Sequence, residues 1–438
     1  MTTSAIRTTV TMRNVSRRIA VTERRLLALG AGFLLISTLS LTVLRNTPED
    51  WLHFATWIVI ALVGHLVLSW RLPSRDPLLF PLAMTMSGWG VIVIARLEPA
   101  FADRQVLWQL IGLAAMIAFA WTNALLRMMR RYRYLVLLSG LVALVVTILI
   151  GVNPSDLQGI YGAPALWIAI GSFYIQPSEA LKIILVVFLA SYLAEQYPAL
   201  RAEGLSSPQY RFSLSPRMLG PILLMWGVSV VVLIWQRDLG TAVLFFLVFL
   251  VLLYVASGYT RLLAFGALMI AIAGLIAYQG FEVVRLRIDI WLNPWQDADG
   301  RAYQIVQSLM AFAAGGVFGQ GIGQGVPYFI PVVHSDFIFA ALAEEWGLIG
   351  VASVIALQSV FTARGLRIAL LQGGKPFPTL VAVGLSAIIT IQTLLIMGGV
   401  LKLIPLTGVT LPFFSYGGSS LVVTFALTGI LLRLSTGD

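Results

Sequence analysis

An all-α polytopic membrane protein, with about twelve transmembrane helices and a large extracytoplasmic loop before the tenth, is the fold class this sequence predicts. Three observations predict it. Hydrophobic residues make up 59% of the 438 residues and charged residues only 11%, at a mean hydropathy of +0.90. That is more apolar surface than one soluble domain can hide from water. Apolar runs near the length of a bilayer span recur along the chain, and the basic residues between them fall on one side of a twelve-span arrangement.

The runs follow in order. A tail holding Arg7, Arg13, Arg17, Arg18, Arg24 and Arg25 precedes the first, 26–44. That tail is long for a signal peptide and no small-residue cleavage site follows, so 26–44 reads as a retained span. Arg71 and Arg75 separate 51–70 from 78–95, and Arg127, Arg130, Arg131 and Arg133 separate 106–126 from 134–151. Arg201, Arg211 and Arg217 lie between 177–194 and 218–235, and the tight turn Gln236-Arg237-Asp238 leads into 239–256. Arg261 precedes 262–278, Arg364, Arg367 and Lys375 lie between 337–362 and 380–400, and Arg433 follows 410–432. Each span is expected to be helical, because its backbone polar groups have no water to turn to in lipid. By the positive-inside rule the basic side is cytoplasmic, both termini are inside, and the loop 281–336 faces outward. The net charge of +10 is therefore topology and not a nucleic-acid footprint. Cysteine is absent and only His53, His65 and His334 occur, which excludes disulfides, thiolate metal sites and a histidine-rich metal centre. No internal repeat is evident, against a transporter built from inverted halves.

A charge near the bilayer centre costs about 2.5–3.5 kcal/mol even on the gentler insertion scale, so each ionisable residue at a span needs a partner or a purpose. Glu179 and Lys182, in QPSEALK, stand at i and i+3 on one helix face. They are either a self-neutralising ion pair or the lining of a polar cavity. Asp238, in WQRDLGTA, precedes an apolar run as a helix cap does, and capping accounts for it as well as catalysis does. Asp336 stands where the outer loop meets the next span, after His334 and Ser335 and before Phe-Ile-Phe-Ala. It is either another cap or a carboxylate at an apolar rim, where desolvation raises its pKa toward the range of a general base. Glu344 and Glu345, two turns deeper, either support it or are satisfied structural carboxylates.

Gly319 to Gly325 (GQGIGQG) is no dinucleotide fingerprint, since no strand precedes it and no βαβ unit surrounds it. Its glycines permit a tight re-entrant bend, or a close approach of backbone N–H groups to an anion. Arg285 and Arg287 are either phosphate partners or anchors at lipid headgroups. Leu411 to Ser420 (LPFFSYGGSS) places Ser415, Ser419 and Ser420 in the last run, where small residues let helices pack closely.

QPSEALK, QRDLGTA, NPWQDADGRAYQIVQSLMAF, GQGIGQG, HSDFIFAALAEEWGLIG and IPLTGVTLPFFSYGGSS together, in this order, resemble the SEDS family (shape, elongation, division and sporulation; RodA/FtsW-like) over residues 78 to 433. The resemblance implies a ten-helix core at 77–438, so that 1–25 is a basic cytoplasmic tail and 26–76 two added helices. It implies a peptidoglycan glycosyltransferase of the plasma membrane that polymerises lipid II at the outer face, beside a class B penicillin-binding protein that cross-links the product. The family's essential aspartate falls on Asp336, its Glu and Lys on Glu179 and Lys182, its PDLGTA aspartate on Asp238, and its SYGGSS on Ser415 to Ser420. Leu166-Trp167 stands where the family has Arg-Trp, Pro331-Val332 where it has Pro-Glu, and Lys402 near a position where glycine is common. The expected chemistry is inverting β-1,4 transfer of the lipid-linked glycan onto lipid II, with Asp336 as general base. Arg285, Arg287 and Lys402 are the expected partners of the departing pyrophosphate, and His334 and the three serines line the substrate site. No cofactor is required by this reading, and a divalent cation such as Mg is compatible with it. A lipid II flippase and a non-catalytic scaffold for the transpeptidase are the alternatives.

Overall fold

The computed structural model describes residues 2–45, 49–153, 166–171, 173–205, 220, 227–228 and 238–437. Four helices come first: α1 (Thr2–Arg45), α2 (Glu49–Arg71), α3 (Leu79–Leu97) and α4 (Pro99–Trp121). The short α5 (Ala124–Arg131) and the apolar α6 (Arg133–Ile150) lead to a hairpin, β1 (Ile168–Ile170) and β2 (Phe173–Ile175). Then follow α7 (Pro177–Leu205), α8 (Leu239–Ser257), α9 (Arg261–Gly280), α10 (Glu282–Leu292), α11 (Tyr303–Gly315), α12 (Ile338–Leu370), α13 (Pro376–Val400) and α14 (Gly418–Leu434).

Ten of these helices are long and apolar enough to cross a membrane, and the 17-residue α14 is a shorter apolar one. They correspond to eleven of the twelve expected spans; the remaining one, 218–235, lies outside the described residues apart from 220, 227 and 228. One expectation needs correction. The run 410–432 was expected as one span, but 401–417 is irregular and the helix begins at Gly418. The chain also carries a strand pair, antiparallel with Ile168 opposite Ile175 and Ile170 opposite Phe173.

Proline and short polar side chains set the helix starts. Pro99 and Pro376 occupy first-turn positions of α4 and α13, where a missing N–H costs nothing. Asp238 caps α8, its carboxylate accepting from the Thr241 backbone N–H at 2.9 Å and the Thr241 hydroxyl at 2.6 Å. Gly258 ends α8 in the left-handed region at φ 77°, its N–H donating to Tyr254.

Burial separates a core from a periphery. The apolar window of α3 is 89% buried and that of α13 83%, against 17% for α9 and 22% for α6. α7, α8, α12 and α14 pack around the first two, while α1 and α2 lie outside α3. Leu34 of α1 and Trp57 of α2 reach within 2.5 Å of where a side chain on Gly88 of α3 would begin, so only a bare backbone admits both. At one end of the bundle, a buried cluster ties α1 and α2 to the loop before α3. Arg75 donates to Glu23 through Nε (2.9 Å) and Nη2 (2.6 Å), and His65 Nδ1 lies 2.7 Å from the same carboxylate. Beside it, Arg364 of α12 donates through Nε to Asp76 at 2.8 Å.

α12 is not one continuous helix. Gly347 interrupts it at φ 65°, ψ −162°, outside the helical region. The N–H groups of Gln320 and Gly321 donate to the carbonyls of Glu344 and Glu345, and those of Leu348 and Ile349 donate to Gly316 and Val317. The glycine-rich loop therefore occupies the break and supplies the backbone hydrogen bonds that the helix gives up there.

Candidate active site

The start of α8, the start of α7, α10, the loop before α12 and the irregular 401–417 segment converge at one end of the bundle, the end opposite the Glu23–Arg75 cluster. Three non-glycine residues with positive φ lie in this region: Val332 (55°), Lys402 (59°) and Phe413 (70°). Such backbone costs of order 1–3 kcal/mol per residue and persists where the surroundings impose it.

Asp336 stands two residues before α12, half-buried, above the buried Phe337, Ile338 and Phe339. Its Oδ1 accepts from the Ser335 hydroxyl at 3.0 Å. Burial pushes its pKa above the ordinary carboxylate range, opposed by the Ser335 bond and the nearby Arg287 charge. Arg287, on α10, is also half-buried, and its Nη1 donates to the Thr407 carbonyl at 3.0 Å. Burial lowers its pKa, and the charges of Asp238 and Asp336 oppose that shift. Arg287 and Asp336 are close but form no salt bridge: Nη2 and Oδ2 both lie within 4 Å of the point where a side chain on Gly408 would begin.

A buried polar network lies deeper. Lys182 Nζ donates to both Glu179 oxygens at 2.7 Å and to Gln392 Oε1 at 2.9 Å. Gln392 Nε2 donates to the Thr410 carbonyl at 2.8 Å, and the Thr410 and Ser420 hydroxyls are 2.8 Å apart. The Glu179–Lys182 pair is thus self-neutralising, and it is joined through Gln392 to the irregular segment. Asp238 likewise is a cap, and its charge acts on Arg287.

The serines hold backbone in place. Ser415 donates to the Ser335 carbonyl at 2.6 Å and accepts from Leu411 N–H, which fixes the residue before Asp336. Ser419 accepts from Gln176 N–H at 2.9 Å, linking α14 to the start of α7. His334 packs edge-on against Phe101 at 4.8 Å and Tyr416 at 5.6 Å, and burial lowers its pKa to about 4, so the ring is neutral at pH 7.

Other expectations are corrected. Arg285 is exposed and turns back to donate to the Tyr278 and Gln279 carbonyls (3.3 and 3.0 Å), so it caps the C-terminal end of α9. Lys402 enters through its backbone, its carbonyl accepting from the Trp291 indole at 3.1 Å. The glycine loop offers no nest of free N–H groups: those of Gly319, Gln320, Gly321, Gly323 and Gln324 all have partners within the protein. Glu344 and Glu345 hold this loop, Glu344 accepting from Val326 N–H and Glu345 from Gly323 N–H and from Arg96 at 3.1 Å. Among the described residues no group of three or more His, Asp or Glu side chains is placed to hold a metal ion. Arg287 supplies positive charge here, felt by both Asp238 and Asp336.

Gln392, Thr407, Gly408 and Thr410 went unnoticed in the sequence. Gln392 had a readable signal, as a hydrogen-bonding side chain within an apolar run. The other three did not, because their positions depend on the path of an irregular segment.

The fold and the rim define a class: a polytopic membrane protein with an acid–guanidinium site at one end of its helical bundle. The profile of the FtsW/RodA/SpoVE cell cycle protein family matches residues 77–438, and the chain belongs to that family. It is 40% identical over 391 residues to the peptidoglycan glycosyltransferase RodA of Mycobacterium tuberculosis, covering 85% of this chain and 81% of that one. Similarity to the stage V sporulation protein E of Bacillus subtilis is 36% over 346 residues, covering 76% and 87% of the two chains. Among solved structures, a chain of a peptidoglycan synthase complex coordinating polymerization and crosslinking aligns at a TM-score of 0.66 and 24% identity, covering 82% of this chain and 97% of that one. Thermus thermophilus RodA aligns at 0.58 and 24% identity, covering 82% and 96%. At that identity the two structures establish the shared fold.

Proposed function

We propose that this protein is a peptidoglycan glycosyltransferase that polymerises lipid II at the outer face of the plasma membrane, with both termini cytoplasmic. The half-buried Asp336 carboxylate beside the unpaired Arg287 is the observation that carries the reading. Asp336 acts as general base on the 4-hydroxyl of the N-acetylglucosamine of an incoming lipid II. The hydroxyl oxygen bonds to the anomeric carbon of the growing chain's terminal N-acetylmuramic acid as its bond to undecaprenyl pyrophosphate breaks. In-line displacement inverts that centre and gives a β-1,4 link. Arg287 faces the departing pyrophosphate, for which a guanidinium fork is suited. Glu179, Lys182 and Gln392 hold the floor of the site, and apolar grooves between helices take the polyprenyl chains.

The family relatives named as peptidoglycan glycosyltransferases support the reaction, and the resemblance to a chain of a synthase complex supports a class B penicillin-binding protein as partner. Residues 77–438 are the catalytic core, 26–76 two added helices and 1–25 a basic tail at the inner leaflet. The test uses purified protein with its transpeptidase and labelled lipid II, with moenomycin suppressing contaminating polymerases. Asp336→Asn is expected to lower glycan formation by about 10²–10⁴-fold, the contribution of a positioned base, while its elution profile stays unchanged. Glycan ladders from the folded variant at the wild-type rate would falsify the role of Asp336.

A further inference from the structure

The irregular segment between α13 and α14 passes Arg287 at Thr407 and Gly408, and Asp336 at Gly408. Its neighbours Thr407 and Val409 are buried, but Gly408 itself is exposed and has φ +74°. A Cβ built on it would stand 3.5 Å from Arg287 Nη2, 4.0 Å from Arg287 Nη1 and 3.7 Å from Asp336 Oδ2. These are ordinary contact distances, so the glycine leaves an atom-sized notch between an acid and a cation that are not paired with each other.

The notch has fixed walls. The Thr407 carbonyl accepts from Arg287 at 3.0 Å on one side. On the other it would lie 2.6 Å from a Cβ on Gly240, in the first turn of α8, so the segment has no room to retreat. The Thr407 hydroxyl is buried and has no hydrogen-bond partner among the described residues.

The geometry points to Gly408 as a specificity-determining residue: its missing side chain is the space in which the attacking sugar edge reaches the Asp336 carboxylate beside Arg287. This rests on the reading of Asp336 as general base. A substrate carbon in the notch is in contact with Oδ2, and a hydroxyl on that carbon, turned toward the carboxylate, is within hydrogen-bonding reach of it. The proton passes to Oδ2, the oxygen pair forms the new bond to the anomeric carbon, and the pyrophosphate leaves with the old pair. A glycine serves here because a methyl group would occupy the place of the substrate carbon without displacing either side chain.

Backbone strain alone would also harm a substitution at positive φ, and the variants separate the two causes. Gly373, at φ +62° with nothing within 4 Å of a built Cβ, carries the same backbone demand in the inner loop before α13. Glycan synthesis by the full chain with its transpeptidase is compared for Gly408→Ala, Gly408→Asn, Gly373→Ala and Asp336→Asn. Gly408→Ala is expected to lower kcat by about 10²-fold with KM little changed, and Gly373→Ala to match the wild type. Asparagine enters the left-handed region more readily than alanine but is larger, so Gly408→Asn is expected to be at least as inactive as Gly408→Ala. Asparagine more active than alanine, or both variants at the wild-type rate, overturns the inference. Should Gly408→Ala fail to fold, Gly408→Asn at the wild-type rate overturns it alone. An active Asp336→Asn overturns the base assignment itself, whereas an inactive Asp336→Asn beside active Gly408 variants overturns only the notch.

Discussion

Glu23, Arg75 and His65 at one end of the bundle and Asp238, Arg287 and Asp336 at the other are both three-residue clusters of acid and base, yet they are built differently. In the first cluster the charges meet directly: Glu23 is 0% exposed, Arg75 is 1% exposed, and both carboxylate oxygens are taken. At the rim Arg287 spends a donor on a backbone carbonyl while the carboxylates beside it bond to hydroxyl and amide groups. A closed bidentate pair has its hydrogen-bonding and charge demands met internally, which suits it to joining helices. Neighbouring opposite charges held short of pairing leave electrostatic capacity for a ligand. The two clusters mark the difference between a fastener and a site.

Three perturbations sharpen this contrast, the largest acting on the fastener. Glu23→Ala strands a buried guanidinium, a loss of about 3–5 kcal/mol for a broken buried pair. Thermal unfolding in detergent should show a lower Tm, while surviving folded protein keeps the wild-type kcat; an unchanged Tm would end the description of the cluster as a fastener. At the rim the expectation reverses. Arg287→Ala should lower kcat by about 10²–10³-fold, the usual result of removing one electrostatic stabiliser, with a Tm close to that of the wild type. A large fall in Tm with kcat retained would make Arg287 a second fastener. The smallest effect concerns His334, whose pKa is depressed to about 4 from 6.5 because burial penalises the charged ring. Its folded state resists protonation, so its stabilising contribution is complete above pH 6.5 and is lost as pH falls toward 4. His334→Phe should flatten that portion of a Tm-against-pH curve, and an unaltered curve would remove His334 as its source.

Much of this arrangement was legible in the chain. Long apolar runs between arginine clusters located the helices, because the bilayer demands both continuous apolarity and internally satisfied backbone. Asp336, Glu179, Lys182, Asp238 and Arg287 were legible as charges at the edges of such runs, and the structure brings them to one end. The failures share a cause. Residues 410–417 read as the first turns of a span because Leu411, Phe413 and Phe414 keep the hydropathy high. Pro412 works against a helix there, since it lacks an N–H and restricts the residue before it. Arg285 and Arg287, two residues apart on α10, were not separable by residue type; one caps α9 and the other enters the site. The glycine loop could not be read because its N–H groups bond to a helix break that only the folded chain reveals.

That break at Gly347 also bears on how movement passes along α12. A continuous helix transmits any rotation of one end to the other at about 100° per residue, through its 3.6-residue turn. Here the sections of α12 on either side of Gly347 both bond to the loop after α11, so that loop, and not a continuous helical phase, fixes their relation. A tilt of the section toward Leu370 is therefore not passed on directly as a rotation of the section that begins at Ile338, two residues after Asp336.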